Sequence, residues 1–303
     1  KSRTGAVSLR LEMLQVARRS PKVLGESGEL VADFLRSQLN DDGGFQDRDG
    51  KSDLYYTVFG IEGLMALQAD VPAPRIARYL RSFDDGHDLD LVHLACLARS
   101  WAALPEELQD FPRARMARGL EGYRTADGGY NAHTGAERGT VYGCFLAVGA
   151  MQDLGCEIKD TRRLLQSIAS LEVPDGSYAN QHELPLGMTP PTAAAAALFR
   201  QLGATPNPGL GRWLLSRCHK QGGFLATEVA PVPDLLSTAT ALHALAGLQV
   251  DFAPMVEPCL DFIDTLWTNR GGFFGSWEDD QLDCEYTYYG LLALGHLSSC
   301  SPA

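Results

Sequence analysis

The fold of this chain is decided by one stretch near its carboxyl end, Trp267-Thr-Asn-Arg-Gly-Gly-Phe-Phe-Gly-Ser-Trp-Glu-Asp-Asp-Gln-Leu-Asp283-Cys-Glu-Tyr-Thr-Tyr-Tyr-Gly290-Leu-Leu-Ala-Leu. It contains a Gly-Gly-aromatic turn, a loop, and an Asp that begins an apolar helix. The same order of features occurs near the amino end, where Gly43-Gly44-Phe45 precedes Asp53-Leu-Tyr-Tyr-Thr-Val-Phe-Gly. Both helices share the pattern D-x-x-Y-T-x-[FY]-G-[IL]-x-x-L. Two such matches at opposite ends of a chain indicate an internal repeat.

Four further units lie between these two. Their turns contain Asp84-Asp85-Gly86, Gly128-Gly129-Tyr130, Gly176-Ser-Tyr178 and Gly222-Gly223-Phe224. Each turn separates two segments with the apolar spacing of a helix. The first segment of a pair carries charges, whereas the second is apolar and rich in small residues, as in the alanine run 193–197. A helix that is apolar all round is buried, so the second segments should form an inner layer.

The sequence therefore predicts an all-α fold, an (α/α)6 toroid, which is a closed barrel of six helical-hairpin repeats with inner and outer layers. We expect a lead-in helix in residues 1–27 and a single toroid domain in residues 28–303. An open superhelix is the alternative. The strong match between the first and last repeats favours closure.

Composition limits the partners. The chain has 303 residues, of which 45% are hydrophobic, and a net charge of -12, which argues against a nucleic-acid partner. No apolar run is long enough to span a bilayer and no signal-peptide pattern is present. The seven cysteines are odd in number and scattered, which fits reduced thiols better than a disulfide framework. These features predict a cytoplasmic protein without a transmembrane segment.

The Gly-Gly-Phe turns, with Gln38 ahead of the first and Gln221 directly before the fifth, resemble the repeat of prenyltransferases and squalene cyclases. Among the branches of that family, the β subunit of protein prenyltransferases (geranylgeranyl- or farnesyltransferase type) is the most similar. The resemblance implies a central apolar cavity for an isoprenoid or its diphosphate. It also implies prenyl transfer, if the chemistry is retained, and a helical partner subunit.

Metal binding is where the chain departs from the family. The family holds zinc with an Asp, a Cys two residues later, and a His in the last repeat. Asp234 matches the Asp, but Leu236 and Tyr286 stand at the Cys and His positions. The metal candidates that remain are Asp234, Asp283 and Cys284. For the two Asp residues a helix N-cap is the competing structural role.

The resemblance gives Tyr286, Asp283 and Arg138 as the candidates for catalytic residues. It also predicts a cavity lined by inner-helix aromatics, a set that could equally be ordinary core. The predicted lining residues are Tyr56, Tyr142, Phe145, Tyr286 and Tyr289. The fifth loop, residues 226–233, contains no cation, although the family binds diphosphate there with cationic side chains.

Three functional hypotheses follow, and they leave open whether the protein is an enzyme. The first is a prenyltransferase-like toroid that acts on an isoprenoid. The second is a non-catalytic toroid that binds an isoprenoid or a protein and has lost the zinc and diphosphate sites. The third is a terpene cyclase whose acid is unidentified, because no D-x-D-D motif is present.

Overall fold

The computed structural model describes residues 7–298. Two short helices, α1 (Leu9–Ala17) and α2 (Pro21–Leu24), precede six helix pairs. The pairs, outer helix first, are α3 (Ser27–Ser37) and α4 (Leu54–Ala66), α5 (Ala73–Arg81) and α6 (Leu91–Ala103), α7 (Arg113–Glu121) and α8 (Val141–Asp153), α9 (Thr161–Ala169) and α10 (Thr189–Gln201), α11 (Leu210–Ser216) and α12 (Leu235–Gly247), and α13 (Val256–Leu266) and α14 (Cys284–Leu297). Strands β1 (Phe45–Gln46) and β2 (Ser52–Asp53) form a small antiparallel ribbon.

The second helices of the pairs form a closed inner ring. Each packs against the next, and α14 packs against α4. The predicted toroid is therefore confirmed, and the open superhelix is excluded. Helix α10 begins at Thr189 and carries Pro190 and Pro191 in its first turn, where proline is tolerated.

The aromatic residue of each Gly-aromatic turn is buried, and its backbone N–H donates to a side chain in the following inner helix. The bonds run from Phe45 to Thr57 Oγ1 (2.9 Å), Tyr130 to Cys144 Sγ (3.3 Å), Tyr178 to Thr192 Oγ1 (3.0 Å), Phe224 to Thr238 Oγ1 (2.9 Å) and Phe273 to Thr287 Oγ1 (3.4 Å). A buried N–H without a partner is costly, so this bond explains the Thr of the repeated D-x-x-Y-T pattern.

The first glycine of these turns serves close packing rather than helix capping. Helix α3 ends at Ser37 with Gln38 as its C-cap, ahead of Gly43 and Gly44. Gly271 has a φ of +90°, and a Cβ there would lie 2.0 Å from the carbonyl oxygen of Leu30 on α3. Only glycine permits this approach, which joins the last repeat to the first.

The lead-in helix closes one end of the ring. It meets the carboxyl ends of the inner helices, where Leu9 N–H donates to Gln152 Oε1 (2.9 Å) and Arg10 Nε to Asp153 Oδ1 (3.0 Å). Leu14 and Ala17 of α1 are buried, and α1 packs against α4, α8 and α14. The amino end of the predicted lead-in segment, residues 1–6, lies outside the described residues. Within residues 7–298 no helix is long and apolar enough to cross a membrane.

Candidate functional site

A cavity of about 520 Å³ occupies the barrel, within the usual size range of ligand sites. One wall is formed by small side chains of α10: Ala193, Ala194 and Ala197. Aromatic rings face it from α4, α8 and α14, namely Tyr55, Tyr142, Phe145 and Tyr289. Met13 of α1 also contributes to the lining. The small alanine side chains leave open a space that the aromatic rings surround. The cavity therefore results from the small size of the residues on α10.

The structure places the predicted cavity residues in different positions. Tyr142, Phe145 and Tyr289 line the cavity. Tyr56 instead lines an open groove at the mouth, together with Arg48 and His93. Its neighbour Tyr55 takes the inward position, because successive side chains on a helix point about 100° apart.

Tyr286 packs beside the cavity mouth. Its ring lies against Gly275, and the Arg48 guanidinium carbon is 5.5 Å from the ring centroid. Burial raises the pKa of its hydroxyl to about 12. This hydroxyl is therefore neutral at physiological pH, and Tyr286 has the surroundings of a packing residue.

Glu285, which the sequence did not single out, lies beside the aromatic rings. The Tyr55 hydroxyl donates to Glu285 Oε1 at 2.6 Å. Burial raises the pKa of Glu285 to about 7, against a smaller lowering by the Tyr55 hydrogen bond. A large fraction of the side chain is therefore a neutral carboxylic acid at physiological pH. The sequence feature that could have pointed to this residue is a glutamate in the first turn of a mostly apolar inner helix.

Asp283 is a structural crosslink as well as a cap. It is 3% exposed, and its carboxylate accepts from Tyr286 N–H (2.8 Å) and from Arg48 Nε (2.8 Å). Arg48 also holds Asp279 through two hydrogen bonds of 3.1 and 2.8 Å. Burial raises the pKa of Asp283, although Arg48 opposes the shift. The ion pairs of Arg48 with Asp279 and Asp283 thus join the first repeat to the last at the mouth.

The remaining metal candidates do not fit zinc. Asp234 accepts from Ser237 N–H and from Ser237 Oγ, both at 2.7 Å. Cys284 is fully buried, and burial raises the pKa of its thiol well above the usual range. Within residues 7–298 no three His, Cys, Asp or Glu side chains are grouped to hold a metal ion. The N-cap role of Asp234 and Asp283 is confirmed.

The cations that line the mouth groove are already paired. His93 lies between Asp53 (3.3 Å) and Asp90 (2.8 Å), and their hydrogen bonds raise its pKa to about 9. Arg48 is held by Asp279 and Asp283. Arg138 is exposed in the third loop and is not among the residues that line the cavity. This mouth offers little attraction to a diphosphate.

The family model for the prenyltransferase alpha-alpha toroid domain matches residues 26–98, 86–225 and 212–301. The chain belongs to this family. Among solved structures, the toroid is similar to the type II terpene cyclase MstE from Scytonema, with 14% identity, 92% of this chain and 98% of that chain covered, and a TM-score of 0.60. It is also similar to protein geranylgeranyltransferase-I of Candida albicans, with 15% identity, 95% and 82% covered, and a TM-score of 0.51.

A third similar structure, a polysaccharide lyase, has 11% identity, 93% and 97% covered, and a TM-score of 0.56. No curated protein gives a significant match. Because enzymes of unrelated chemistry share this fold, the site has to decide the function. The helical partner subunit and the cytoplasmic location stay predictions.

Stability should depend on pH through Glu285. The folded-state pKa of about 7 lies above the unfolded value, so the stabilisation is fully present below the unfolded pKa and is lost as pH rises through about 7. Between pH 5 and pH 8 the wild type should lose roughly 3 kcal/mol relative to Glu285→Gln, which does not titrate. Urea unfolding of both proteins at each pH measures this difference. Parallel pH profiles would contradict it, and Glu278→Gln, an exposed change in the preceding loop, is the matched control.

Proposed function

We propose that the toroid takes up an uncharged isoprenoid chain and isomerises it by acid-initiated cyclisation, with Glu285 as the proton donor. The observation that carries this proposal is the buried Glu285 carboxyl, which accepts a hydrogen bond from Tyr55, a wall residue of the aromatic cavity. A general acid works best when its pKa lies near the operating pH. Glu285 meets this condition, and its carboxyl is tied to the cavity wall by the Tyr55 hydroxyl.

The reaction balances without a co-reactant. The O–H bond of Glu285 breaks, and its proton forms a C–H bond with the less substituted carbon of an alkene. The tertiary cation that results is attacked by a second alkene of the same chain, which closes a ring. Loss of a proton to the Glu285 carboxylate, directly or through solvent, gives a cyclic isomer of the substrate.

The cavity wall suits such an intermediate. The faces of Tyr55, Tyr142 and Tyr289 can stabilise a carbocation through their π electrons. The lining of the main cavity is mostly apolar, and Glu285 adjoins it through its hydrogen bond to the wall residue Tyr55. An apolar enclosure also keeps water from trapping the cation. Tyr55 acts as a positioning residue, because its hydroxyl fixes the Glu285 carboxyl.

Prenyl transfer from a diphosphate has less support. A leaving diphosphate needs cations or a metal to stabilise its charge. Arg48 and His93 at the mouth are each held by two carboxylates, and the zinc candidates do not fit the metal. The isoprenoid class itself is supported by the family and by the similar cyclase, a variant of which was solved with geranylgeranyl dihydroxybenzoate.

The test is incubation with geranylgeraniol and, separately, geranylgeranyl diphosphate in D₂O, followed by mass spectrometry of the products. Acid-initiated cyclisation gives an isomer with one carbon-bound deuterium. Release of diphosphate without carbon-bound deuterium would replace the proposal by ionisation or transfer chemistry. Binding without any product would replace it by the non-catalytic toroid.

Filling the cavity should abolish ligand binding. Ala194 faces the cavity from α10, so Ala194→Trp should weaken geranylgeraniol binding by more than about tenfold, because a large ring occupies the space of the chain. A graded series of Val, Leu and Trp at this position, measured by fluorescence titration, should show affinity falling with side-chain size. Equal affinity in all three variants would place the ligand elsewhere.

A further inference from the structure

A smaller cavity of about 70 Å³ adjoins the main one. The two cavities share wall residues: Met13, Tyr55, Tyr142, Phe145 and Tyr289. The smaller cavity, which we call the inner lobe, differs from the main cavity in its chemistry. Its lining includes Arg10, Arg99 and Asp153. An otherwise apolar barrel thus holds a charged cluster next to its ligand space.

Arg10 of α1, which lines this lobe, has an unused donor. The residue is 8% exposed, its Nε donates to Asp153 Oδ1 at 3.0 Å, and its Nη2 donates to the Ala102 carbonyl at 3.2 Å. Its third nitrogen, Nη1, is buried and has no hydrogen-bond partner among residues 7–298. A buried donor without a partner carries a substantial desolvation penalty. An acceptor oxygen that reaches Nη1 from the lobe would remove that penalty.

Arg99 brings a second guanidinium to the same lobe, and it is already neutralised. Its Nε donates to Glu62 Oε1 at 2.7 Å, its Nη2 bonds to the other carboxylate oxygen, and Glu62 is fully buried. Arg10 is likewise matched by Asp153. The two cations therefore face two carboxylates. A further anion would leave unbalanced charge in a buried site, whereas an uncharged acceptor would not.

We propose that the inner lobe is a subsite for an uncharged oxygen acceptor, such as a hydroxyl, carbonyl or epoxide oxygen, on the isoprenoid ligand, with Arg10 as the donor. This inference rests on the proposed uptake of an isoprenoid. The lobe has room for such a group, since a single water needs only about 10–15 Å³ measured in the same way. The hydrocarbon part of the ligand then fills the apolar main cavity.

The experiment compares four probes on the wild type: geranylgeraniol, geranylgeranial, geranylgeranoic acid, and the hydrocarbon that carries a methyl group in place of the oxygen function. The alcohol and the aldehyde should bind at least about tenfold tighter than the hydrocarbon, the size expected of a hydrogen bond from a charged donor. The aldehyde can only accept, so its tight binding identifies the acceptor role. The acid should bind more weakly than both.

Arg10→Lys is the decisive variant, because lysine keeps a cation beside Asp153 and removes Nη1. It should bind the hydrocarbon as the wild type does and lose the preference for the alcohol and the aldehyde. If Arg10→Lys does not fold, the double variant Arg10→Met/Asp153→Leu removes both charges together and should show the same loss.

The outcomes separate the two proposals. Equal binding of all four probes by the wild type, or a preference that survives both Arg10 variants, would overturn the subsite while leaving isoprenoid uptake intact. Tightest binding of the acid would also overturn it, since the site would then select an anion. Failure of the wild type to bind any probe would overturn the proposed function, and the subsite with it.

Discussion

Replacing Glu285 by Gln should lower the cyclisation rate at pH 7 by at least about 100-fold, the contribution typical of a general acid. Gln keeps the size of the side chain and an oxygen that accepts from the Tyr55 hydroxyl, which lies 2.6 Å from Glu285 Oε1. It has no proton to give to an alkene. Binding of geranylgeraniol should therefore persist while turnover is lost. Product formation under single-turnover conditions, with binding measured separately, tests this.

The pH profile supplies a second readout. Because the protonated form is the active one and burial raises the pKa of Glu285 to about 7, the wild-type rate should be constant at acid pH. It should fall about tenfold per unit above the midpoint. Tyr55→Phe removes a hydrogen bond that lowers this pKa, so its midpoint should move to higher pH. A purely structural role for Tyr55 would leave the midpoint in place.

Two further results would assign the acid elsewhere: a wild-type rate in Glu285→Gln, or a rate independent of pH between 5 and 9. The control is Glu278→Gln, which removes an exposed carboxylate from the preceding loop. This control should leave both the rate and the midpoint unchanged. It distinguishes the loss of one particular proton donor from a general change in charge near the mouth.

The fold could be predicted from the sequence because its signals are local. Apolar spacing identifies each helix, the Gly-aromatic turn separates the two helices of a unit, and repetition gives their number. The N-cap roles of Asp53, Asp234 and Asp283 could be predicted for the same reason, because an N-cap side chain bonds within the first turn of its own helix. Each of these features lies within a few residues of the pattern that predicts it.

The site was harder to predict from the sequence because it depends on contacts between elements that are distant in the chain. The role of α1 at the barrel end lies outside the repeat pattern and rests on bonds such as Arg10 to Asp153. The raised pKa of Glu285 comes from burial in the assembled barrel. The family resemblance also directed attention to Asp283 and Tyr286, the neighbours of Glu285 in sequence. Predicting whether Tyr55 or Tyr56 lines the main cavity required knowing which face of α4 points inward, to within one residue.

Replacing Arg99 by Met should destabilise the fold by about 3 to 5 kcal/mol, the effect expected when one partner of a buried ion pair is removed. Glu62 is fully buried and accepts both of its hydrogen bonds in this pair from Arg99. Without the guanidinium, its buried carboxylate must stay charged without a cation or take up a proton. The free-energy cost of either state is a large fraction of the stability of a typical domain. Urea unfolding at pH 7 measures it.

Two matched variants make this test specific. The double variant Arg99→Met/Glu62→Leu should recover most of the lost stability, because apolar residues of similar volume can replace a buried ion pair. Arg36→Met breaks a surface pair of α3, where Arg36 is 40% and Glu29 72% exposed, and should change stability by no more than about 1 kcal/mol. If Arg99→Met were as mild as Arg36→Met, the barrel interior would have to be hydrated around Glu62.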